Sequence, residues 1–243
     1  MTIRIFDIHP GIDRAAAAQR FAREGRVQIR NLLTPESAAN LQAIVARQTP
    51  WGIACQAGAS GPQRIDSGQI AAMPPQQQRA LVDAIHRSAA QGDYAVRFTQ
   101  YAILDAYLDA GSPAGPHDLV LEHLNDTPFL DLVREVTGMP ELLKADAQAT
   151  LFGPGDFLSV HSDSHVAEGW RVAYVLNLTS AEWRPDWGGY LNFLDEDGDV
   201  TCGWKPRFNT LNLLRVPQLH QVTYVPPFAP RARFAVTGWL RDR

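Results

Sequence analysis

Apolar residues recur along this chain at two different spacings, and the change falls near residue 146. In the amino-terminal part they recur three and four residues apart, the period of a helix that buries one stripe. Asp13 precedes an alanine-rich segment that stops at Gly25, an N-capping carboxylate at one end and a stop glycine at the other. Val27 and Ile29 alternate with polar neighbours and predict a short strand. Thr34 and Pro35 open a second helix, a capping hydroxyl followed by a proline in the first turn, with Leu41, Ile44 and Val45 as its apolar stripe. Leu81, Ile85 and Ala89, four apart, predict another helix over 75–90. A further helix is predicted over 129–137, closed by Gly138. Gly-, Ser- and Pro-rich stretches at 57–62 and 111–116 predict loops.

Beyond residue 146 the pattern shortens to alternating or β-branched runs at 157–161, 171–178, 189–194, 210–215, 221–225 and 233–240. Turn residues separate them, among them Gly153-Pro154-Gly155, Asp197-Gly198 and Pro226-Pro227. Many short strands with regular punctuation predict a sandwich, jelly roll or barrel. With no linker composition and no internal repeat, the expectation is one domain over 1–243. It is mainly β with flanking α: a mostly helical part over 1–145 packed on a β core over 146–243.

Composition narrows the function classes. The 243 residues are 45% hydrophobic, enough for a sizeable core. Twenty-two Lys+Arg against 26 Asp+Glu give a net charge of −4, so bulk attraction to nucleic acid or to an anionic membrane is not expected. Two cysteines, Cys55 and Cys202, make neither a disulfide framework nor a thiolate zinc site. The first ten residues hold no apolar signal core, and no run of 18 apolar residues occurs, so a cytoplasmic protein is expected.

The candidate chemistry lies in the β half. His161 and Asp163 sit two apart at the end of a predicted strand, where alternate side chains share a face, so an imidazole and a carboxylate converge. His220, 220 − 161 = 59 residues later, opens another strand-like run. Two histidines and one carboxylate on a face leave adjacent positions open and suit non-haem Fe(II). The same donors also hold zinc and activate water, so ligand count alone leaves a zinc hydrolase or a metal-binding sensor open. Arg233, Ala235, Thr237 and Trp239 alternate onto one face. An arginine inside a barrel needs an anion, because burying an isolated charge is costly, and its guanidinium matches a carboxylate bidentately. Arg231, two residues earlier, is expected at the wet entrance of the strand. His165 is expected outside the donor set, which is already complete. His117 and His123, with Asp118 and Glu122, are expected to be ordinary polar positions, and Asp195 to Asp199 a hairpin turn.

Taken in order, Gly153-Pro-Gly-Asp-Phe-Leu158, His161-Ser-Asp163, Arg171-Val-Ala-Tyr-Val-Leu-Asn-Leu178, Trp187-Gly-Gly-Tyr-Leu191, His220-Gln-Val222 and Arg233-Phe-Ala-Val-Thr-Gly-Trp239 resemble the prolyl 4-hydroxylase-like Fe(II)/2-oxoglutarate dioxygenases. The similarity is greatest to the branch that includes the ribosomal-protein prolyl hydroxylases, and it covers roughly 146–241. The resemblance implies a double-stranded β-helix of cupin-like, jelly-roll type with iron on His161, Asp163 and His220, and the 2-oxoglutarate C5 carboxylate on Arg233. It implies consumption of O2, decarboxylation of 2-oxoglutarate to succinate, and hydroxylation of a C–H bond. The substrate it implies is a prolyl residue in a protein or peptide, with a free amino acid or small biosynthetic intermediate as the alternative. Leu191 and Trp239 are expected to line the pocket. Leu178 stands where some relatives carry a supporting tyrosine, and Tyr174, in phase with it, is expected to supply that hydroxyl instead.

Overall fold

The structure is a computed structural model that describes residues 4–110, 115–163, 166–179 and 182–243. Seven helices occur among them: α1 (Arg14–Glu24), α2 (Pro35–Gln48), α3 (Ser67–Ala72), α4 (Pro75–Ala90), α5 (Ile103–Ala110), α6 (Pro116–Leu124) and α7 (Thr127–Thr137). The strands before the metal-ligand candidates are β1 (Arg26–Arg30), β2 (Gly52–Ala57), β3 (Gln63–Ile65), β4 (Ala95–Tyr101), β5 (Lys144–Ala145) and β6 (Gln148–Phe152). Those that follow are β7 (Phe157–His161), β8 (Trp170–Asn177), β9 (Leu191–Leu194), β10 (Val200–Trp204), β11 (Thr210–Arg215), β12 (His220–Val222) and β13 (Arg233–Arg241).

The caps fall where the sequence places them. The Asp13 carboxylate accepts from the Ala16 N–H, and Gly25 ends α1 at φ 66°. The Thr34 hydroxyl accepts from the Ser37 N–H, with Pro35 in the first turn of α2. Gly138 closes α7 at φ 67°; that helix starts at Thr127 rather than 129, because Asp126 caps it.

All pairings among these strands are antiparallel, in the order β1-β11-β8-β13-β6-β4-β7-β12-β9-β10, with β2 and β3 added beside β4 and β5 beside β13. This is a jelly roll flanked by helices. Strand β4 pairs with β6 through Thr99 to Tyr101 and with β7 through Val96 and Arg97, so it joins the two walls of the barrel. The amino-terminal part is therefore more than a helical layer: β1 to β4 are built into the sheet. Strand β1 is the one that Val27 and Ile29 predict; the signal of β4 is weak in sequence because it turns Phe98 and Gln100 to a cavity rather than to a dry core, which spoils the apolar alternation.

Period-2 alternation splits the core. Val172, Tyr174 and Leu176 of β8 and Val236 and Leu240 of β13 pack with Phe21, Leu41, Phe129 and Val133 under the helices. Ala173 and Val175, with Leu191, Phe193, Trp204 and Leu214, fill the barrel side. No helix among the described residues is long and apolar enough to cross a membrane.

Candidate metal centre

Antiparallel pairing of β7 with β12 sets His161 directly opposite His220. Their ring centroids lie 4.2 Å apart. Two residues past His161 the chain presents Asp163, whose Oδ1 is 3.5 Å from His161 Nε2 and whose Oδ2 is 3.7 Å from His220 Nε2. The other ring nitrogens are held by backbone: His161 Nδ1 lies 2.9 Å from the Ser159 carbonyl and His220 Nδ1 2.8 Å from the Gln218 carbonyl. A carbonyl only accepts, so each Nδ1 carries the proton and each Nε2 lone pair faces the carboxylate. Ligand bonds of about 2.0–2.2 Å bring donors to roughly 3–3.5 Å from one another, so these three side chains need little movement to close on a cation.

The electrostatics agree with that arrangement. Burial pushes the Asp163 carboxyl up, but His161 and His220 outweigh it, with a further pull from the Trp239 indole, and hold it below its ordinary value. The indole N–H is close enough to act on this charge, although it makes no hydrogen bond of acceptable geometry. Burial pushes His220 down, and the neighbouring His161 adds to the effect, which favours the neutral, ligating imidazole. Among the described residues this is the one group of three His, Cys, Asp or Glu side chains placed to hold a metal ion. His117 instead lies 2.9 Å from the Thr49 hydroxyl, and His123 stacks on Phe6. His165 lies outside the described residues. The acidic stretch after β9 is a turn in which the Asp195 carboxylate accepts from the Asp197 and Asp199 N–H groups.

A cavity of about 500 Å3 opens from the centre into the barrel, and Arg233 reaches it at 3% exposure, whereas Arg231 is exposed. One Arg233 nitrogen donates to the Gly189 carbonyl at 2.7 Å, the guanidinium lies 5.2 Å from the Phe152 ring, and Nε has no partner. No carboxylate pairs with it among the described residues. Burial lowers its pKa to about 10, so it is a cation at neutral pH. An orphaned buried cation beside an empty volume fits an organic acid. Leu191 and Trp239 line the same cavity, and Trp239 stacks on Trp170 at 4.0 Å.

Tyr174 requires a correction. It touches the cavity wall, but its ring packs against Phe129 and its hydroxyl donates to the Asp146 carbonyl at 2.7 Å. In register it faces Gly238, five positions along β13 from Arg233 (238 − 233), on the helix-packed side of the sheet. Its even-numbered place on β8 turns it away from the guanidinium.

Other cavity residues carry no motif of their own. The β2–β3 hairpin brings Gln56, Gln63 and Arg64 to the mouth, and Gln100 donates to Gln148 across the wall. Gly189 was legible only as part of the Trp187-Gly-Gly run. Its carbonyl role follows from the tertiary position of Arg233.

Residues 147–241 match the model of the 2OG-Fe(II) oxygenase superfamily. The matched segment runs from β6 to β13 and contains His161, Asp163, His220 and Arg233. Members of that superfamily use Fe(II), 2-oxoglutarate and O2, and the His161, Asp163 and His220 group is one that could hold the metal. The chain is similar in fold to a Pseudomonas putida prolyl-4-hydroxylase, with a TM-score of 0.58 and 21% identity over 100% of this chain and 97% of that one. It is also similar to a 2OG-Fe(II) oxygenase family oxidoreductase from Burkholderia pseudomallei, with a TM-score of 0.61 and 15% identity over 100% and 97%. A third structure of like fold is the non-heme alpha ketoglutarate dependent epimerase SnoN from nogalamycin biosynthesis, with a TM-score of 0.56 and 13% identity over 95% and 84%. No curated protein matches the chain significantly in sequence.

Proposed function

We propose that this protein is a 2-oxoglutarate-dependent oxygenase that hydroxylates an unactivated C–H bond of a prolyl residue or proline-like group, with conversion of 2-oxoglutarate and O2 to succinate and CO2. In this reading His161, Asp163 and His220 hold Fe(II), and Arg233 binds the far carboxylate of 2-oxoglutarate. The observation that carries it is the presence, in one cavity, of the His161, Asp163 and His220 donor set and a buried guanidinium with no acidic partner among the described residues.

A ferrous ion bound there supplies the redox chemistry that couples O2 and 2-oxoglutarate to hydroxylation. The protein does the rest. Ser159 and Gln218 fix the tautomers of the two imidazoles through their carbonyls. Arg233, aimed by Gly189, gives the dicarboxylate one orientation, with its keto-acid end toward the ligand set. Trp239, Trp170 and Leu191 wall the volume with apolar surface and limit water around the reacting bond. The prolyl substrate is supported by the motif resemblance and by fold likeness to a protein named a prolyl-4-hydroxylase.

Anaerobic protein given Fe(II) and 2-oxoglutarate should develop the weak visible charge-transfer band of the chelate. On admission of air, a screen of amino acids and proline-containing peptides should release succinate and yield a product heavier by one oxygen. Absence of the band, with tight zinc uptake and turnover under nitrogen, would overturn the reading.

A further inference from the structure

A second groove, of about 780 Å3, lies against the metal cavity. The two share Tyr94, Leu158 and Val222 as walls, so whatever occupies one meets the other across those side chains. Tyr94 stands edge-on to His161 at 6.0 Å, which puts this boundary beside a candidate ligand.

The groove is lined by three rings that surround a common point. His86 lies 6.4 Å from Phe157 and 6.5 Å from Tyr224, and Phe157 lies 6.1 Å from Tyr224. A cation on the open side of such a triangle sits within about 6 Å of the Phe157 and Tyr224 centroids, the range of a cation–π contact, with the His86 ring beside it. Tyr224 is 44% exposed and the neighbouring Val160 43%, so the groove is open to solvent on that side. Asp93 supplies a carboxylate at the rim, without an ion-pair partner among the described residues, and no lysine or arginine lines the groove.

We propose that this groove is a subsite for a basic side chain of a polypeptide substrate, held by His86, Phe157 and Tyr224 with Asp93 as its counter-charge. The reactive residue of the same polypeptide lies across Tyr94 in the metal cavity. The assignment rests on the oxygenase reading for the place of the reactive residue, and on the groove alone for the basic one. A polypeptide is favoured over a small molecule because two adjoining volumes of different chemistry call for two side chains on one backbone.

The test uses the intact protein and short peptides that carry proline and, within four residues of it, either arginine or the uncharged norleucine. N-acetyl-arginine amide serves as the free side chain. Binding is followed by NMR on the ring resonances of His86, Phe157 and Tyr224, and KM by succinate release. Arginine peptides should bind about tenfold more tightly than norleucine peptides and move those resonances. Asp93→Asn and Tyr224→Ala should each abolish that preference. The free arginine amide should bind far more weakly than the arginine peptide. Equal affinity for the two peptides, or a preference that survives both variants, overturns the proposal. Free arginine amide binding as tightly as the peptide overturns the polypeptide assignment. An arginine preference in binding without succinate from any peptide leaves the subsite standing and removes the prolyl substrate instead.

Discussion

His161 and His220 are paired residues on neighbouring antiparallel strands, with ring centroids 4.2 Å apart, although they lie 59 positions apart in the chain (220 − 161). Two imidazoles this close, with Asp163 between their Nε2 atoms, form a set that a shared cation stabilises and that each member needs. His220→Ala should therefore weaken Fe(II) binding by more than the 10–100-fold loss that follows removal of a mere outer partner of a metal ligand. Anaerobic metal titration checks this. Unaltered affinity would place the metal elsewhere.

Arg233 should matter to ligand and not to fold. Among the described residues it is buried with one hydrogen bond and no acid, so Arg233→Met removes a desolvated charge and fills the space with a side chain of similar length. The thermal midpoint without 2-oxoglutarate should stay the same or rise. The further stabilisation by added 2-oxoglutarate should vanish, because a ligand stabilises only the state that binds it. Loss of a charge-assisted pair worth about 1.5–3 kcal/mol should raise the apparent 2-oxoglutarate requirement roughly 10–100-fold. Thermal shift and succinate assays read the two effects separately.

The Gly188-Gly189 pair should resist substitution for two different reasons. Gly188 has φ 60°, and a Cβ there would lie 2.0 Å from the Tyr224 carbonyl oxygen, so Gly188→Ala forces backbone apart and should cost several kcal/mol. Gly189 has φ 65°, and its Cβ would lie 3.3 Å from Arg233 Cδ. Gly189→Ala should cost less stability, about 1–2 kcal/mol, and should raise the 2-oxoglutarate requirement by moving the guanidinium. Denaturation curves beside steady-state kinetics distinguish them. Equal effects of both variants on both readouts would refute the distinction.

Asp156 should make stability depend on pH. Burial raises its carboxyl from 3.8 to about 6, against the pull of Arg97 and the Gly153 N–H. A raised folded pKa means that the folded state binds the proton more tightly. The stabilising contribution of this group is then fully present below about 3.8 and is lost as pH rises through about 6. Asp156→Asn should flatten the pH dependence of unfolding between those values and leave the slope elsewhere unchanged. A wild-type profile without that slope would contradict the burial argument.

Asn209 ties the amino-terminal segment to the barrel. It sits at φ 52°, its Oδ1 accepts from the Leu33 N–H at 2.9 Å, and its Nδ2 donates to the Leu33 carbonyl at 2.7 Å. Asn209→Ala loses both buried bonds and keeps the strained backbone, so it should cost about 2–4 kcal/mol. Urea denaturation measures it, and a cost below 1 kcal/mol would mean that the tie is not a stabilising one.

What could be read from the chain was whatever is local or ordered. Caps at Asp13 and Thr34 and stops at Gly25 and Gly138 need only neighbours three or four residues away. The strands of the carboxyl half announce themselves by period 2, and the spacing of His161 and Asp163 puts both on one face without further information. The distant His220 and Arg233 were found because a motif keeps their order. The alternation of β13 was enough to aim Arg233 inward, but the same rule applied to β8 did not show that the even face bearing Tyr174 belongs to the helices. Which face of a strand meets a cavity is a property of the two layers around it. Tertiary structure alone decided that β4 bridges both walls, that the Gly189 carbonyl receives Arg233, and that Tyr94 divides the metal cavity from an aromatic groove. Each of these depends on contacts between segments far apart in the chain, and no local periodicity encodes a distance across a barrel.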